Sequence, residues 1–327
     1  MNGSKRLPRF FVAERQDAGN RVDRFLVAAM ARGGEPVSRA ELQRWIENGR
    51  VTVHGVVRKG ADRVREGERV EVTPEPPART EARPDARVPF DVVHVDEALV
   101  VVNKPPGVVV HPARGHEEGT LVNGLLALGL FDAEVLDGDE RDEAGHLRPG
   151  VVHRIDKGTS GLLVVARTGV AREKLKAQFQ AHTIGREYVA LCVGQPQSRT
   201  IATLHARHPT DRLRFTSRVT DGKRAVTHVR VLERFASSAY VACTLETGRT
   251  HQIRVHLAET GAPVLGDSLY GKPPREPALR AIAEALGHQA LHARLLGFVH
   301  PTTGVKLTFE APPPADFERA LEALRAG

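Results

Sequence analysis

The chain has 327 residues, 41% hydrophobic and 27% charged, the composition of a globular protein with room for two or three domains. Its formal net charge of +7 permits a polyanionic partner without establishing one. No stretch approaches the length of a membrane span, the N-terminal Phe10-Phe11-Val12 run is too short and too charged at its flanks for a signal peptide, and the two cysteines exclude a disulfide scaffold.

Residues 1–19 read as an N-terminal tail, and a compact unit follows over 20–73. Val22, Phe25, Leu26 and Ala29 keep the i, i+3, i+4, i+7 spacing of an amphipathic helix. Ser38-Arg39-Ala40-Glu41 is a capping box that opens a second helix with Leu42, Trp45 and Ile46 on its apolar stripe and Gly49 at its end. Trp45 on that stripe is a core residue rather than a base-stacking platform. Val51-Thr52-Val53 and Val56-Val57 flank His54-Gly55, a short hairpin signal, and Glu68–Val72 is a last strand. The unit carries eleven Lys and Arg against eight Asp and Glu. The pattern Arg21-x-Asp23-x-Phe25-Leu26, Ser38-Arg39, Trp45-Ile46-x-x-Gly49-x-Val51-x-Val53-x-Gly55 and Gly67-x-x-Val70 resembles the S4 RNA-binding domain. Arg39 and Arg44 are its candidate RNA contacts.

Pro74, Pro76, Pro77 and Pro84 among charged residues make 74–88 a semi-rigid linker. From residue 89 to 327 strands and helices alternate. Val92-Val93-His94-Val95 and Leu99–Val102 read as buried strands. Residues 131–145 hold seven acids against Arg141, a solvated surface loop that should point away from phosphate. The stretch 205–230 is the opposite, with seven basic residues, Arg214, Lys223 and Arg224 among them, against Asp211 and Asp221. Asp221-Gly222 marks a hairpin turn there, and the charge suits contact with an RNA backbone. Cys192 and Cys243 sit in apolar runs as small buried hydrophobes.

Three segments carry candidate chemistry. His153-Arg154-Ile155-Asp156-Lys157-Gly158-Thr159-Ser160-Gly161 places one carboxylate between two cations, in a tight turn that feeds the apolar run Leu162–Ala166. Such an acid is ionised and available as a nucleophile, although an isolated Asp of this kind is more often a turn cap. Arg186-Glu187-Tyr188 opens a strand with a phenol. In Gly248–Leu257, Thr250 can cap a helix running to about Gly261, with Arg254 in its first turn. His251 and His256 are five apart, which does not match a helical zinc pair, and no metal is expected. Gly266–Lys272 has the glycine and lysine spacing of a phosphate loop, but Pro273 stands where a Ser or Thr would hold magnesium. Gly158–Gly161 lacks the spacing of a nucleophile elbow.

Together these segments resemble the RNA pseudouridine synthases of large-subunit ribosomal RNA, in the branch that carries an S4 domain. The resemblance spans roughly residues 20–325. It rests on Asn103-Lys104-Pro105-x-Gly107-x-x-Val110-His111-Pro112, the Asp156 turn, Arg186-x-Tyr188, Gly248-Arg249-Thr250-His251-Gln252-Ile253-Arg254-Val255-His256, Gly266-Asp267-x-x-Tyr270-Gly271 and Gln289–Ala293. Gly158 and Ile155 depart from the residues usual there. The resemblance implies an α/β (α+β) fold with a mixed, mainly antiparallel central sheet and flanking helices. It implies isomerisation of uridine to pseudouridine without cofactor, metal or nucleotide. Asp156 would be the essential carboxylate, Arg254 its partner, and Tyr188 the ring stacked on the target uracil, placed to help remove the C5 proton. Arg154 would fill the gap left by the flipped uridine, and Ile253 would form part of the pocket wall. The implied partner is 23S ribosomal RNA or a pre-50S particle, met in the cytoplasm by a monomer. A non-catalytic RNA-binding or ribosome-assembly protein would share the S4 unit and the charge but would leave the Asp, Tyr and Arg motifs unexplained. The same chemistry on transfer RNA is a third reading.

Overall fold

The structure, a computed structural model, describes residues 8–34, 37, 39–74, 82–112, 118–131, 135 and 149–326, with the side chains of 39–41 left aside. Ser38 of the capping box, the Arg39 side chain, part of the Pro-rich linker and all of the acidic stretch except Phe131 and Val135 lie outside the described residues. Two compact units divide the chain, Met1–Thr80 and Glu81–Gly327.

In the first unit, helices Val22–Arg32 and Arg39–Glu47 accompany a four-stranded antiparallel sheet. Its strands are β1 (Arg9–Val12), β2 (Val51–Val53), β3 (Val56–Val57) and β4 (Arg69–Val72), in the order β1-β4-β2-β3. The apolar stripes meet in one core of Phe25, Leu26, Leu42, Trp45, Ile46, Val51, Val53, Val70 and Val72, and Trp45 is buried in it. His54 and Gly55, with φ of 51° and 78°, supply the two left-handed positions that the tight β2–β3 turn requires. Residues 9–12, which the sequence suggests are tail, form a strand. Phe11 packs on the core, and the Arg69 guanidinium lies 3.8 Å from the Phe10 ring centroid. A four-residue alternation is too short to stand out from sequence alone, and β4 selects it.

The second unit is built on a ten-stranded sheet. Its strands are β5 (Asp91–Val95), β6 (Leu99–Lys104), β7 (Ser160–Ala166), β8 (Gly185–Val193), β9 (Arg199–Arg207), β10 (Phe215–Thr216), β11 (Lys223–Arg234), β12 (Ser238–Leu245), β13 (Leu291–Val299) and β14 (Lys306–Glu310). The order is β10-β9-β11-β12-β8-β13-β7-β6-β5, with β14 on β13. Every pairing is antiparallel except β13–β7. Helices 121–127, 169–180, 252–259, 277–286 and 315–326 accompany the sheet. The strand β7 explains its own unbroken apolar run: Leu163 and Val165 enter one core, Leu162 and Val164 another. Gly161 is required where β7 meets β13 in parallel. Its φ is 113°, and a Cβ there would lie 2.3 Å from the Ala293 carbonyl oxygen.

Two local expectations change. The strand β5 is not buried: it is the sheet's edge, and Val92, Val93 and Val95 are 45%, 40% and 47% exposed. An apolar run does not reveal whether its strand has a second neighbour. Asp221-Gly222 does not join a two-stranded hairpin either. The strand it opens, β11, pairs with β9, and β10 pairs with the other edge of β9. The segment 208–222 is therefore an excursion from β9 to β11 that lays β10 on the other edge of β9, because the long β9–β11 register outcompetes a local turn.

Candidate active site

The Asp156 turn leads into β7, which is separated by β13 from β8, the strand that carries Tyr188. Asp156, Arg154, Ile155, Tyr188, Ile253 and Arg254 line one open cleft. The turn is fixed from below by Lys104, whose side chain is fully buried. Its ammonium donates to the carbonyls of Pro105 (2.8 Å), Val108 (2.8 Å) and Lys157 (3.2 Å). Burial pulls Lys104 down to about 7, against the opposing pull of the Asp156 charge. The Gly107 N–H donates to the same Lys157 carbonyl (2.8 Å), and the Thr159 N–H donates to that of Asp156 (3.0 Å). On the near side His153 accepts the Val164 N–H at Nε2 (3.0 Å) and stacks on Phe179. Burial first, and the Arg186 charge second, pull His153 down to about 3, so its ring is neutral and free to accept. A Cβ on Gly158 would lie 2.3 Å from Gln289 Oε1, and the Gln289 amide donates to Thr159 Oγ1 (3.2 Å).

The charges at the centre form a line. Arg254 Nη1 donates to Asp156 Oδ2 at 2.9 Å. The rest of its fork is taken by Asp267, with Nε to Oδ2 at 2.7 Å and Nη2 to Oδ1 at 2.8 Å. The Asp267 carboxylate is completely buried and also accepts the N–H groups of Leu269 and Tyr270. This bidentate grip locks the guanidinium, so that only one edge of it reaches Asp156. The two carboxylates raise the Arg254 pKa against the cost of its burial, and it stays charged. Asp156, at 17% side-chain exposure, is the member of the line that meets the cleft.

Around this line lie Tyr188, Ile253 and Arg154. Tyr188 is buried in β8, and burial raises its phenol, which is protonated at neutral pH. Ile253 is buried in the wall, and Arg154 is exposed. Arg186 lies buried with its guanidinium 5.6 Å from the Phe179 ring centroid and donates to the Glu246 carbonyl (3.3 Å). Thr250 is not the cap of the following helix. That helix is Gln252–Glu259, and His251 holds the N-cap position at φ 59° without a capping hydrogen bond. Arg254 remains in the first turn. Among the described residues no group of His, Cys, Asp and Glu could hold a metal ion.

Within this unit Arg214, Lys223 and Arg224 are not among the residues that line the cleft. Arg214 lies 5.3 Å from the centroid of the Tyr270 ring, Lys223 is exposed at the start of β11, and Arg224 pairs with Glu246 (2.7 Å). Arg44 is half-buried in the first unit. Asp267, Lys104, His251 and Tyr270 all stand inside motifs that carry the family resemblance. Their types and spacing nevertheless give no sign that Asp267 holds Arg254, or that Lys104 clamps the turn. Among the described residues no helix is long and apolar enough to cross a membrane.

Residues 98–259 match the family model described as RNA pseudouridylate synthase, and residues 21–70 match that of the S4 domain. The ribosomal large subunit pseudouridine synthase D of Neisseria meningitidis serogroup A is 42% identical over 313 residues, covering 94% of this chain and 79% of that protein. An uncharacterized RNA pseudouridine synthase of Bacillus subtilis is 43% identical over 317 residues, covering 96% and 97%. Among solved structures, human RNA pseudouridylate synthase domain containing 4 superposes with a TM-score of 0.54 at 26% identity, over 72% of this chain and 93% of that one.

Proposed function

The chain belongs to the RNA pseudouridylate synthase family, and on that premise we propose that it isomerises uridines of large-subunit (23S) ribosomal RNA with Asp156 as the catalytic carboxylate. The observation that carries the assignment of Asp156 is its pairing. Oδ2 is held by an arginine that Asp267 has already immobilised, and Oδ1 lies 3.8 Å from His251 Nε2. A carboxylate oriented by an arginine in this way drives cleavage of the N-glycosidic bond. The uracil then turns within the cleft and rejoins the ribose through C5. Tyr188 stacks on the uracil and, as a neutral phenol whose pKa burial raises, helps move the C5 proton to N1, the atom that lost its bond to the sugar. Arg154, exposed on the turn, occupies the space left by the extruded uridine, and Ile253 provides apolar wall.

The S4 unit, through Arg39 and Arg44, and the basic 205–230 segment, through Arg214, Lys223 and Arg224, supply phosphate and shape contacts to the surrounding RNA. The enzyme works on 23S RNA or a pre-50S particle in the cytoplasm, as a monomer and without a small-molecule cofactor. Residues 20–73 and 89–327 act as its RNA-selecting and catalytic domains.

The test is site-resolved pseudouridine mapping after incubation with a 23S transcript and with bulk transfer RNA. Wild-type protein is expected to convert uridines in the ribosomal transcript. Asp156→Asn is expected to convert none while binding that transcript with unchanged affinity. Conversion confined to transfer RNA would overturn the substrate, and normal turnover by Asp156→Asn would overturn the mechanism.

A further inference from the structure

His251 is in a strained place for its residue type. With φ 59° and ψ 16° it occupies the left-handed region, which a non-glycine residue enters at a cost. Helix starts are ordinarily capped by an extended Ser, Thr, Asp or Asn, and His251 makes no side-chain cap here. What this backbone does is aim the imidazole. Nδ1 lies 2.8 Å from the Tyr270 hydroxyl, and Nε2 lies 3.8 Å from Asp156 Oδ1.

Tyr270 is held in turn from the other side. Its hydroxyl oxygen accepts the backbone N–H of Phe215 at 2.8 Å. With that acceptor site taken, the phenolic proton goes to His251 Nδ1. The remaining ring proton is then on Nε2, facing Asp156. Burial lowers the His251 pKa and keeps the ring neutral, which preserves this tautomer. The Tyr270 ring also lies between two arginines, with the Arg254 guanidinium 5.1 Å and that of Arg214 5.3 Å from its centroid. Phe215 contacts His251 edge-on, with ring centroids 5.6 Å apart. Phe215 opens β10, the strand inside the basic excursion, and Arg214 immediately precedes it.

We propose that His251 and Tyr270 are positioning residues for Asp156, forming a chain from the Phe215 N–H through the Tyr270 hydroxyl and His251 to Asp156 Oδ1, by which RNA bound along β10 sets the orientation of the catalytic carboxylate. This rests on the reading of Asp156 as the catalyst. The 3.8 Å gap is the one open link of the chain, and an advance of the imidazole toward Asp156 as RNA settles on Arg214 and β10 closes it. The second Asp156 oxygen then gains a donor, as the first already has one in Arg254.

Tyr270→Phe tests this with the least disturbance, because it removes the hydroxyl and keeps the ring between Arg254 and Arg214. On a 23S transcript at saturating enzyme, its single-turnover rate should fall about tenfold, the loss of one hydrogen bond that matters at the transition state. Its RNA affinity and melting temperature should match wild type. His251→Asn tolerates the left-handed backbone but cannot span the gap, and should fall by a similar factor. The double variant should be no slower than the slower single one, because both act in one chain. Arg214→Ala should slow single turnover in wild type and have no further effect on that rate in Tyr270→Phe. A Tyr270→Phe rate within twofold of wild type, losses that multiply in the double variant, or a rate loss that follows a fall in melting temperature would each overturn the chain. Asp156→Asn run alongside separates the two ideas. If it is inactive while Tyr270→Phe is normal, the chain fails and the catalyst stands. If wild type forms no pseudouridine, the reading beneath it fails.

Discussion

The cleft centre and the basic segment around β10 are both rich in charge, and they use it in opposite ways. At the centre Asp156, Arg254 and Asp267 stand in a line of short hydrogen bonds, and the two inner members are almost wholly out of water. Charges removed from water must be matched atom by atom, so each geometry there is dictated by its neighbours. Along 205–230 the arginines and Lys223 are mostly exposed, and an exposed pair such as Arg224–Glu246 adds little to stability. These residues make a field that any phosphate backbone can feel, without fixing where one atom lies. Buried charge fixes atomic positions, and exposed charge makes a long-range field. Phe215 is the point where the two regions meet, since its N–H reaches Tyr270.

The sharpest way to break the contrast is to remove the buried anchor. Asp267→Ala should abolish detectable turnover and cost about 3 kcal/mol of stability, because Arg254 would be left buried with half its partners gone. Chemical denaturation alongside the modification assay checks both, and a stable, active variant would refute the line of charge. Arg254→Lys keeps the charge but not the fork, and an ammonium cannot hold two carboxylates in that geometry. Its single-turnover rate should drop about a hundredfold, comparable to the loss of a preorganised donor. Along the basic segment, Arg214→Ala and Lys223→Ala should each weaken RNA binding several-fold and lower the slope of log K against log salt by about one, measured by titration at several salt concentrations.

The smallest effect expected is on stability against pH. His153 is held down to about 3 and His256 to about 4, both mainly by burial. The unfolded chain protonates these rings near pH 6.5, while the folded chain refuses the proton until 3–4. Their contribution is therefore complete above pH 6.5 and is lost as pH falls toward 4. Melting temperatures across that window should decline less steeply in His256→Gln than in wild type. An unchanged slope would mean that His256, bonded to Thr203 and Thr227, does not take part in the decline.

Much of this molecule is legible residue by residue. The stripe of Val22, Phe25 and Leu26, the His54-Gly55 turn and the apolar run after Asp156 are local patterns, and local sterics and periodicity settle them wherever they occur. Asp156, Tyr188 and Arg254 are also readable as a set, through the motifs they stand in, and the fold does bring all three to one cleft. Other features were decided only when distant segments met. Val92, Val93 and Val95 lie at an exposed edge because among the described residues no further strand pairs beyond β5, and Asp221-Gly222 makes no hairpin because β9 claims both of its neighbours. The same holds for the charges. Asp156 and Arg254 are 98 residues apart, and Asp267 reads in sequence as part of a failed phosphate loop. The sequence determined which groups are chemically able and which segments become strand or helix, because those depend on neighbours along the chain. Which carboxylate is buried against the arginine, and which is left facing the cleft, depends on desolvation and hydrogen-bond partners supplied across the sheet, and only the tertiary structure decided that.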